Sequence, residues 1–180
     1  MHRTPARRHA KRRFLFIEAL EQRRLLAVDF AALNTQLGTP TGVTVITHGF
    51  QSSDSGGDAL LPLATAIGTA SNGLLVDLDV ANEDSDTTVT FVDYGRSGEV
   101  VVLYDWAAQS GEASQGWPEG AGDALFSFLI GAGFVQPALG TSLPLHFIGH
   151  SFGAAVTSEA IERLASFDVV VDHVTFLDPH

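Results

Sequence analysis

Short apolar runs recur along the chain from residue 43 onward. They are rich in β-branched side chains and are bounded by glycine, proline or polar turns, a pattern typical of strands buried in a sheet. The pattern predicts six strands, at residues 43–47, 74–78, 88–92, 100–104, 143–148 and 169–177.

Helical patterns separate several of these runs. Apolar positions recur at intervals of three and four residues over 60–67, 118–134 and 154–165. We expect Asp58 to cap the first of these helices and Pro62 to lie in its first turn. Strands that alternate with helices predict the α/β class, here a doubly wound, mostly parallel sheet covered by helices on both faces.

Length and composition indicate one folded domain. The 180 residues are 45% hydrophobic, which is enough for a single core of ordinary size. We expect a leader over residues 1–28 and an α/β domain over 29–180. The longest uncharged apolar stretch after the leader, 124–135, is too short to cross a bilayer, so the chain is not expected to be transmembrane. The absence of cysteine excludes a thiol nucleophile and a disulfide framework.

Charge is concentrated differently at the start of the chain and in the rest. The first 24 residues hold eight of the ten basic residues, whereas 19 of the 21 acidic residues follow them. An acidic body repels phosphate backbones, so no nucleic-acid partner is predicted; a basic nucleic-acid-binding arm is the alternative for the head. A basic head before an apolar segment is typical of an export signal, although the charged stretch 18–24 interrupts it.

Residues 16–27 resemble the "LE-x-R-x-LL" leader of planctomycete exported and surface proteins. The resemblance covers about a dozen residues. It implies an exported protein that is extracellular, cell-surface or periplasmic, and it implies nothing about activity.

The segment Gly149-His150-Ser151-Phe152-Gly153 lies between a predicted strand and a predicted helix. In a G-x-S-x-G turn of this kind the serine is exposed at the carboxyl edge of the sheet. Glycine at the flanking positions lets the strand and the helix approach closely. The pattern therefore predicts Ser151 as a nucleophile, and a glycine-rich turn with an incidental serine is the alternative.

Asp178 ends the predicted strand that follows the nucleophile strand. Open α/β sheets carry their chemistry at the carboxyl ends of strands. Because neighbouring strands lie about 4.8 Å apart, a carboxylate there can be one imidazole away from Ser151, as a catalytic triad requires. An aspartate that only caps the turn before Pro179 is the alternative.

The segment His48-Gly49-Phe50 ends the first predicted strand. Acyl transfer through a serine builds negative charge on the carbonyl oxygen, which main-chain N–H groups from two loops stabilise. We expect the N–H groups of Phe50 and Phe152 to be these donors, with Gly49 allowing a close approach. His48 is expected to hold the loop by hydrogen bonding, and a role as triad base is the alternative.

Two clusters carry side chains that commonly bind metals, and neither spacing predicts a site. The carboxylates after the second strand do not follow the D-x-[DN]-x-[DN]-G pattern of a calcium loop and indicate a solvated acidic turn. They are Asp77, Asp79, Glu83, Asp84 and Asp86. His146 and His150 are four residues apart on a predicted strand, about 13 Å, which is too far for one tetrahedral ion. We expect no metal and no cofactor.

Four motifs in order resemble those of the pancreatic and lipoprotein lipase branch of the α/β-hydrolases, which are H-G-F, V-D-W, G-H-S-L-G-A and L-D-P. The corresponding segments are His48-Gly49-Phe50, Leu103-Tyr104-Asp105-Trp106, Gly149-His150-Ser151-Phe152-Gly153-Ala154 and Leu177-Asp178-Pro179. The resemblance implies an α/β-hydrolase fold, with Ser151 as nucleophile, Asp178 as triad acid, and Phe50 and Phe152 as oxyanion-hole donors.

The resemblance also implies a part that this chain does not contain. In that family the catalytic histidine lies downstream of the acid, beyond further strands, so we expect a sheet that is incomplete at its C-terminal end. His180 is the alternative base, and it would have to fold back between Asp178 and Ser151.

These observations predict an exported serine hydrolase of lipase or esterase type, acting on a small-molecule or lipid ester. A noncatalytic surface or binding module on a degenerate hydrolase fold is one alternative, favoured by the missing histidine. An acyltransferase is another, because it needs the same nucleophile.

Overall fold

Six strands form one sheet at the centre of the structure, a computed structural model that describes residues 28–50, 57–80, 87–110, 117–136 and 141–179. In chain order they are β1 (Val43–Thr47), β2 (Leu74–Asp79), β3 (Thr88–Asp93), β4 (Val100–Asp105), β7 (Leu145–His150) and β8 (His173–Leu177). A separate two-stranded ribbon consists of β5 (Val135–Gln136) and β6 (Thr141–Ser142).

The large sheet has the strand order β3-β2-β4-β1-β7-β8. All neighbours are parallel except β2 and β3, which are antiparallel. The register aligns Thr47 at the end of β1 with Tyr104 of β4 and Gly149 of β7. The predicted class, a mostly parallel α/β sheet built from these six runs, is confirmed.

Helices cover both faces of the inner strands. They are α1 (Phe30–Leu37), α2 (Leu61–Ser71), α3 (Ala107–Ser110), α4 (Trp117–Gly131) and α5 (Gly153–Ala165), with a 3₁₀ turn at Gly57–Ala59. Because side chains alternate along a strand, Val45 and Phe147 face α1, α4 and α5 in the larger core. Ile46 and Ile148 face α2 in the smaller one.

Several element bounds differ from the prediction. β7 begins at Leu145 rather than 143, because the Leu143 N–H bonds the Phe134 carbonyl beside the small ribbon. β8 begins at His173 rather than 169, because the Val169 N–H still bonds the Leu164 carbonyl at the end of α5.

Two helix ends also differ. α4 stops at Gly131, and the chain then turns through Gly133 at φ 75° instead of continuing to residue 134. The expectation that Asp58 caps α2 is wrong: Asp58 lies in the 3₁₀ turn, and the capping position is Leu60 without a side-chain bond. Pro62 does lie in the first turn.

The pattern missed α1 altogether. This helix has only eight residues, and the Asp29 carboxylate caps it by accepting a hydrogen bond from the Ala32 N–H at 2.9 Å. Its buried side chains, Leu33 and Leu37, lie four residues apart and so give one repeat of the helical period.

The expectation of two covered faces fails at β8. Val174, Phe176 and Leu177 are 38%, 44% and 38% exposed, whereas every residue of β1 is buried. Among the residues that the structure describes, no helix is both long and apolar enough to cross a membrane. Residues 1–27 of the predicted leader, residues 81–86 of the acidic turn and His180 lie outside the described residues.

Candidate functional site

The carboxyl ends of four strands meet at one edge of the sheet. β4, β1, β7 and β8 are consecutive and parallel, and the register brings their carboxyl ends level to within one residue. The chain leaves these strands at Trp106, His48, Ser151 and Asp178. All four segments singled out in the sequence therefore lie along this edge.

Ser151 occupies the turn between β7 and α5. Its φ of 51° is in the left-handed region, which costs a residue with a Cβ about 1–2 kcal/mol. Its N–H donates to the Leu177 carbonyl at 2.9 Å, so the turn is tied to the last residue of β8. A non-glycine residue held in such a conformation is typical of functional turns.

Gly149 and Gly153 make this turn possible. A Cβ on Gly153 would lie 2.4 Å from the His48 carbonyl oxygen and 2.7 Å from that of Thr47. Thr47 is the last residue of β1, and His48 follows it. A Cβ on Gly149 would lie 2.9 Å from the Thr157 hydroxyl on α5. Glycine is required at both positions because strand β7, helix α5 and the end of β1 approach so closely.

Gly49 brings the loop after β1 against the serine side chain. A Cβ at this position would lie 2.6 Å from Ser151 Cβ and 2.9 Å from Ser151 Oγ. The next residue, Phe50, has a side chain that is 49% exposed. Among the described residues, none accepts a hydrogen bond from the main-chain N–H of Phe50 or of Phe152.

His48 is fully buried and holds this loop to the end of β4. Its Nδ1 donates to the Gly49 carbonyl at 2.7 Å. Its Nε2 lies 3.0 Å both from Asp105 Oδ1 and from the Trp106 main-chain nitrogen. A singly protonated ring accepts from Trp106, and a doubly protonated ring donates to Asp105.

The indole of Trp106 also helps to hold the loop after β1 in place. Its Nε1 donates to the His48 carbonyl at 2.9 Å, and the two rings stack with centroids 5.6 Å apart. On its other side Trp106 approaches the Phe152 ring at 6.3 Å. Both ring nitrogens of His48 are therefore directed at the Gly49 carbonyl and at the end of β4.

Asp178 directly follows β8, with φ 47° and an exposed side chain. His150 and Leu177 are register partners, so Ser151 and Asp178 each follow one member of a paired position. His150 itself is half-buried at the end of β7. The structure thus places the backbones of Ser151 and Asp178 side by side.

Carboxylates at and near this edge influence one another. Burial, followed by the negative charges of Asp105, Asp79 and Asp58, raises the pKa of Asp77 above its usual range. No group of three or more histidine, aspartate or glutamate side chains among the described residues is arranged to hold a metal ion.

His146 lies at the other end of β7 and has a different neighbour from the one considered in the sequence. Its ring meets that of His173 on β8, its register partner, at 4.7 Å and 84°. Its Nε2 lies 3.0 Å from the Thr175 hydroxyl. Burial and the neighbouring His173 lower the pKa of His146.

Two buried threonines at the site were not singled out in the sequence. The hydroxyls of Thr47 on β1 and Thr157 on α5 are 2.9 Å apart, and Thr47 also donates to the Gly153 carbonyl at 2.9 Å. The two residues are 110 positions apart in the chain, so no local pattern marks them as partners.

The fold matches a solved structure, that of a Lactobacillus plantarum WCFS1 protein provisionally named a cell surface hydrolase. The TM-score is 0.54 at 14% sequence identity, and the match covers 79% of this chain. The chain has an α/β-hydrolase-like fold. It spans about half of the matched structure, 54% of that chain. No protein-family model and no curated protein sequence matches it.

Proposed function

We propose that this chain forms the core of an exported serine hydrolase that acts on carboxylic esters. Ser151 is the nucleophile, Asp178 the triad acid, and the N–H groups of Phe50 and Phe152 are the oxyanion donors. The observation that carries the proposal is the turn conformation of Ser151, φ 51°, with Gly49 packed against its side chain.

In this mechanism Ser151 Oγ attacks the ester carbonyl carbon, and its proton passes to an imidazole that Asp178 orients. The carbonyl oxygen becomes an oxyanion and accepts hydrogen bonds from Phe50 and Phe152. The imidazole then protonates the leaving alcohol, and water activated by the same imidazole hydrolyses the acyl-serine.

Two features support a preorganised oxyanion hole. The N–H groups of Phe50 and Phe152 have no acceptor within the described parts of the chain, so they are available to a ligand. The loop that carries Phe50 is held by the buried His48, whose two ring nitrogens contact Gly49 and the end of β4. Donors held in place before the reaction contribute most, and losing one typically costs about 100–1,000-fold in kcat.

The substrate class is a small-molecule or lipid ester, and the reaction needs no cofactor. The half-exposed Phe50 and the half-buried Phe152 lie beside the two donors, which favours an apolar acyl group there. Export follows from the predicted leader at residues 1–28 and is part of the same proposal.

The test is covalent labelling with a fluorophosphonate and hydrolysis of p-nitrophenyl butyrate by the complete product of the gene. We expect one label, on Ser151, and loss of both label and turnover in Ser151→Ala. Ser166→Ala is the matched control, because its hydroxyl bonds a carbonyl within α5 at an exposed position.

Three results would decide against the proposal or refine it. Equal turnover by wild type and Ser151→Ala removes the nucleophile. A folded wild-type protein that neither labels nor turns over supports the noncatalytic module instead. Acyl transfer to an added alcohol that exceeds hydrolysis supports the acyltransferase.

A further inference from the structure

A pair of buried hydroxyls joins the two segments that carry the proposed oxyanion donors. Thr47 and Thr157 are both fully buried. Thr47 is the last residue of β1, three positions before Phe50, and its hydroxyl bonds the carbonyl of Gly153, the residue after Phe152. One side-chain bond therefore links the two loops close to their N–H groups.

The direction of the bonds follows from the number of protons. The Gly153 carbonyl can only accept, so the single hydroxyl proton of Thr47 is donated to it at 2.9 Å. The Thr157 hydroxyl, 2.9 Å from Thr47 Oγ1, must then donate to that oxygen. The result is an ordered chain from Thr157 on α5 through Thr47 on β1 to Gly153.

The space around the chain is closed on both sides by the turn's glycines. A Cβ on Gly149 would lie 2.9 Å from Thr157 Oγ1, and one on Gly153 would lie 2.7 Å from the Thr47 carbonyl oxygen. Both glycines therefore pack closely against the two segments that the hydroxyls join.

We propose that Thr47 and Thr157 are positioning residues, which fix the distance between the Phe50 and Phe152 N–H groups so that both reach one oxyanion. This inference rests on the proposed function. It assigns the hydroxyls no contact with the substrate: they act through the two main-chain segments. A hydroxyl pair suits this role because it sets a distance between β1 and α5, which apolar packing alone defines less sharply.

The experiment compares Thr47→Val, Thr157→Val and the double variant with Thr47→Ser in the complete gene product. Valine keeps the shape and removes the bonds, whereas serine keeps the hydroxyl. Thr35→Val is the matched control, because that exposed hydroxyl bonds only within α1, to the Ala32 carbonyl. The readouts are kcat and KM for p-nitrophenyl butyrate, the Ki of a boronic acid, and the unfolding midpoint.

We expect each valine variant to lower kcat by about 10–100-fold with KM nearly unchanged, because a small displacement of the donors is felt only in the transition state. The Ki of the boronic acid rises in parallel. Thr47→Ser retains most of the activity. Since the hydroxyls form one chain, the double variant is little worse than either single one.

Other outcomes overturn the inference. An active wild type whose Thr47→Val keeps full kcat and only melts earlier shows that the pair is merely structural. A rise in KM at constant kcat also overturns the inference. So does a double variant whose loss of kcat equals the product of the two single losses. If Thr47→Val does not fold, the Thr47→Ser variant decides. A folded Thr47→Ser protein that has lost kcat overturns the inference. A wild type that is inert to substrate and fluorophosphonate overturns the proposed function, and this inference with it.

Discussion

Replacing Gly153 by alanine tests the close approach of α5 and β1 without depending on catalysis. Gly153 is the first residue of α5, and alanine in a helix is ordinarily more stable than glycine by up to about 1 kcal/mol. The added Cβ, however, would lie 2.4 Å from the His48 carbonyl oxygen and 2.7 Å from that of Thr47. Propensity and packing therefore predict opposite signs.

The packing effect should dominate. Both contacts are with main-chain atoms at the end of β1, which cannot rotate away as a flexible side chain can. Overpacking of a closed site costs about 1–3 kcal/mol, more than the gain in helix propensity. For a chain of this size a net loss of 1 kcal/mol lowers the unfolding midpoint by about 2–4 °C.

Gly120→Ala is the matched control. Gly120 lies inside α4, and among the described residues no atom outside its chain neighbours and its own helix backbone is within 4 Å of the Cβ that alanine would add, so the propensity gain should dominate. Urea and thermal unfolding of the two variants should change in opposite directions, Gly120→Ala up and Gly153→Ala down. A Gly153→Ala protein as stable as wild type would show that strand and helix are farther apart and would refute the reasoning.

Four further predictions concern stability. Ser151→Gly should raise the free energy of unfolding by about 1 kcal/mol, because glycine adopts φ 51° without strain, while Ser151→Ala should not; urea unfolding of both checks this. Asp77→Asn should stabilise the protein at pH 7, because the raised pKa of Asp77 means that the fold disfavours the ionised carboxylate. This gain in the free energy of unfolding should fade as the pH falls toward 3.8. Asp93→Asn should destabilise the protein at pH 7, because the Gly95 N–H and Arg96 lower the pKa of Asp93, and this loss should fade as the pH falls below 3.8. The free energy of unfolding, measured against pH for the Asp77→Asn and Asp93→Asn variants, distinguishes the two effects. His146→Gln should reduce the loss of stability below pH 6.5, because a lowered histidine pKa means that the unfolded chain takes up the proton first.

The sequence predicted which strand ends share one edge of the sheet better than it predicted the bounds of the individual elements. Parallel strands present their carboxyl ends on one side, so identifying His48, Ser151 and Asp178 as strand ends was enough to expect them on one edge. That inference tolerates errors of a few residues in strand bounds. The late start of β8, at His173 rather than 169, left Asp178 where it was expected.

Features that depend on distant contacts were not accessible in the same way. The Val169 N–H donates to the Leu164 carbonyl at the end of α5, although the apolar run at 169–171 by itself favours a strand. The bond between the Thr47 and Thr157 hydroxyls exists only because β1 and α5 are packed together in the fold. Local periodicity contains no information about such pairs.

Strand β8 is coupled to the serine turn by one main-chain hydrogen bond. Holding Ser151 at φ 51° costs about 1–2 kcal/mol, and a single main-chain hydrogen bond typically returns about 1 kcal/mol. The bond in question runs from the Ser151 N–H to the carbonyl of Leu177, on a strand whose apolar side chains are more than one third exposed. When β8 separates from β7, the turn loses a bond that offsets part of its strain, so the pairing of these two strands helps to hold Ser151 in its conformation.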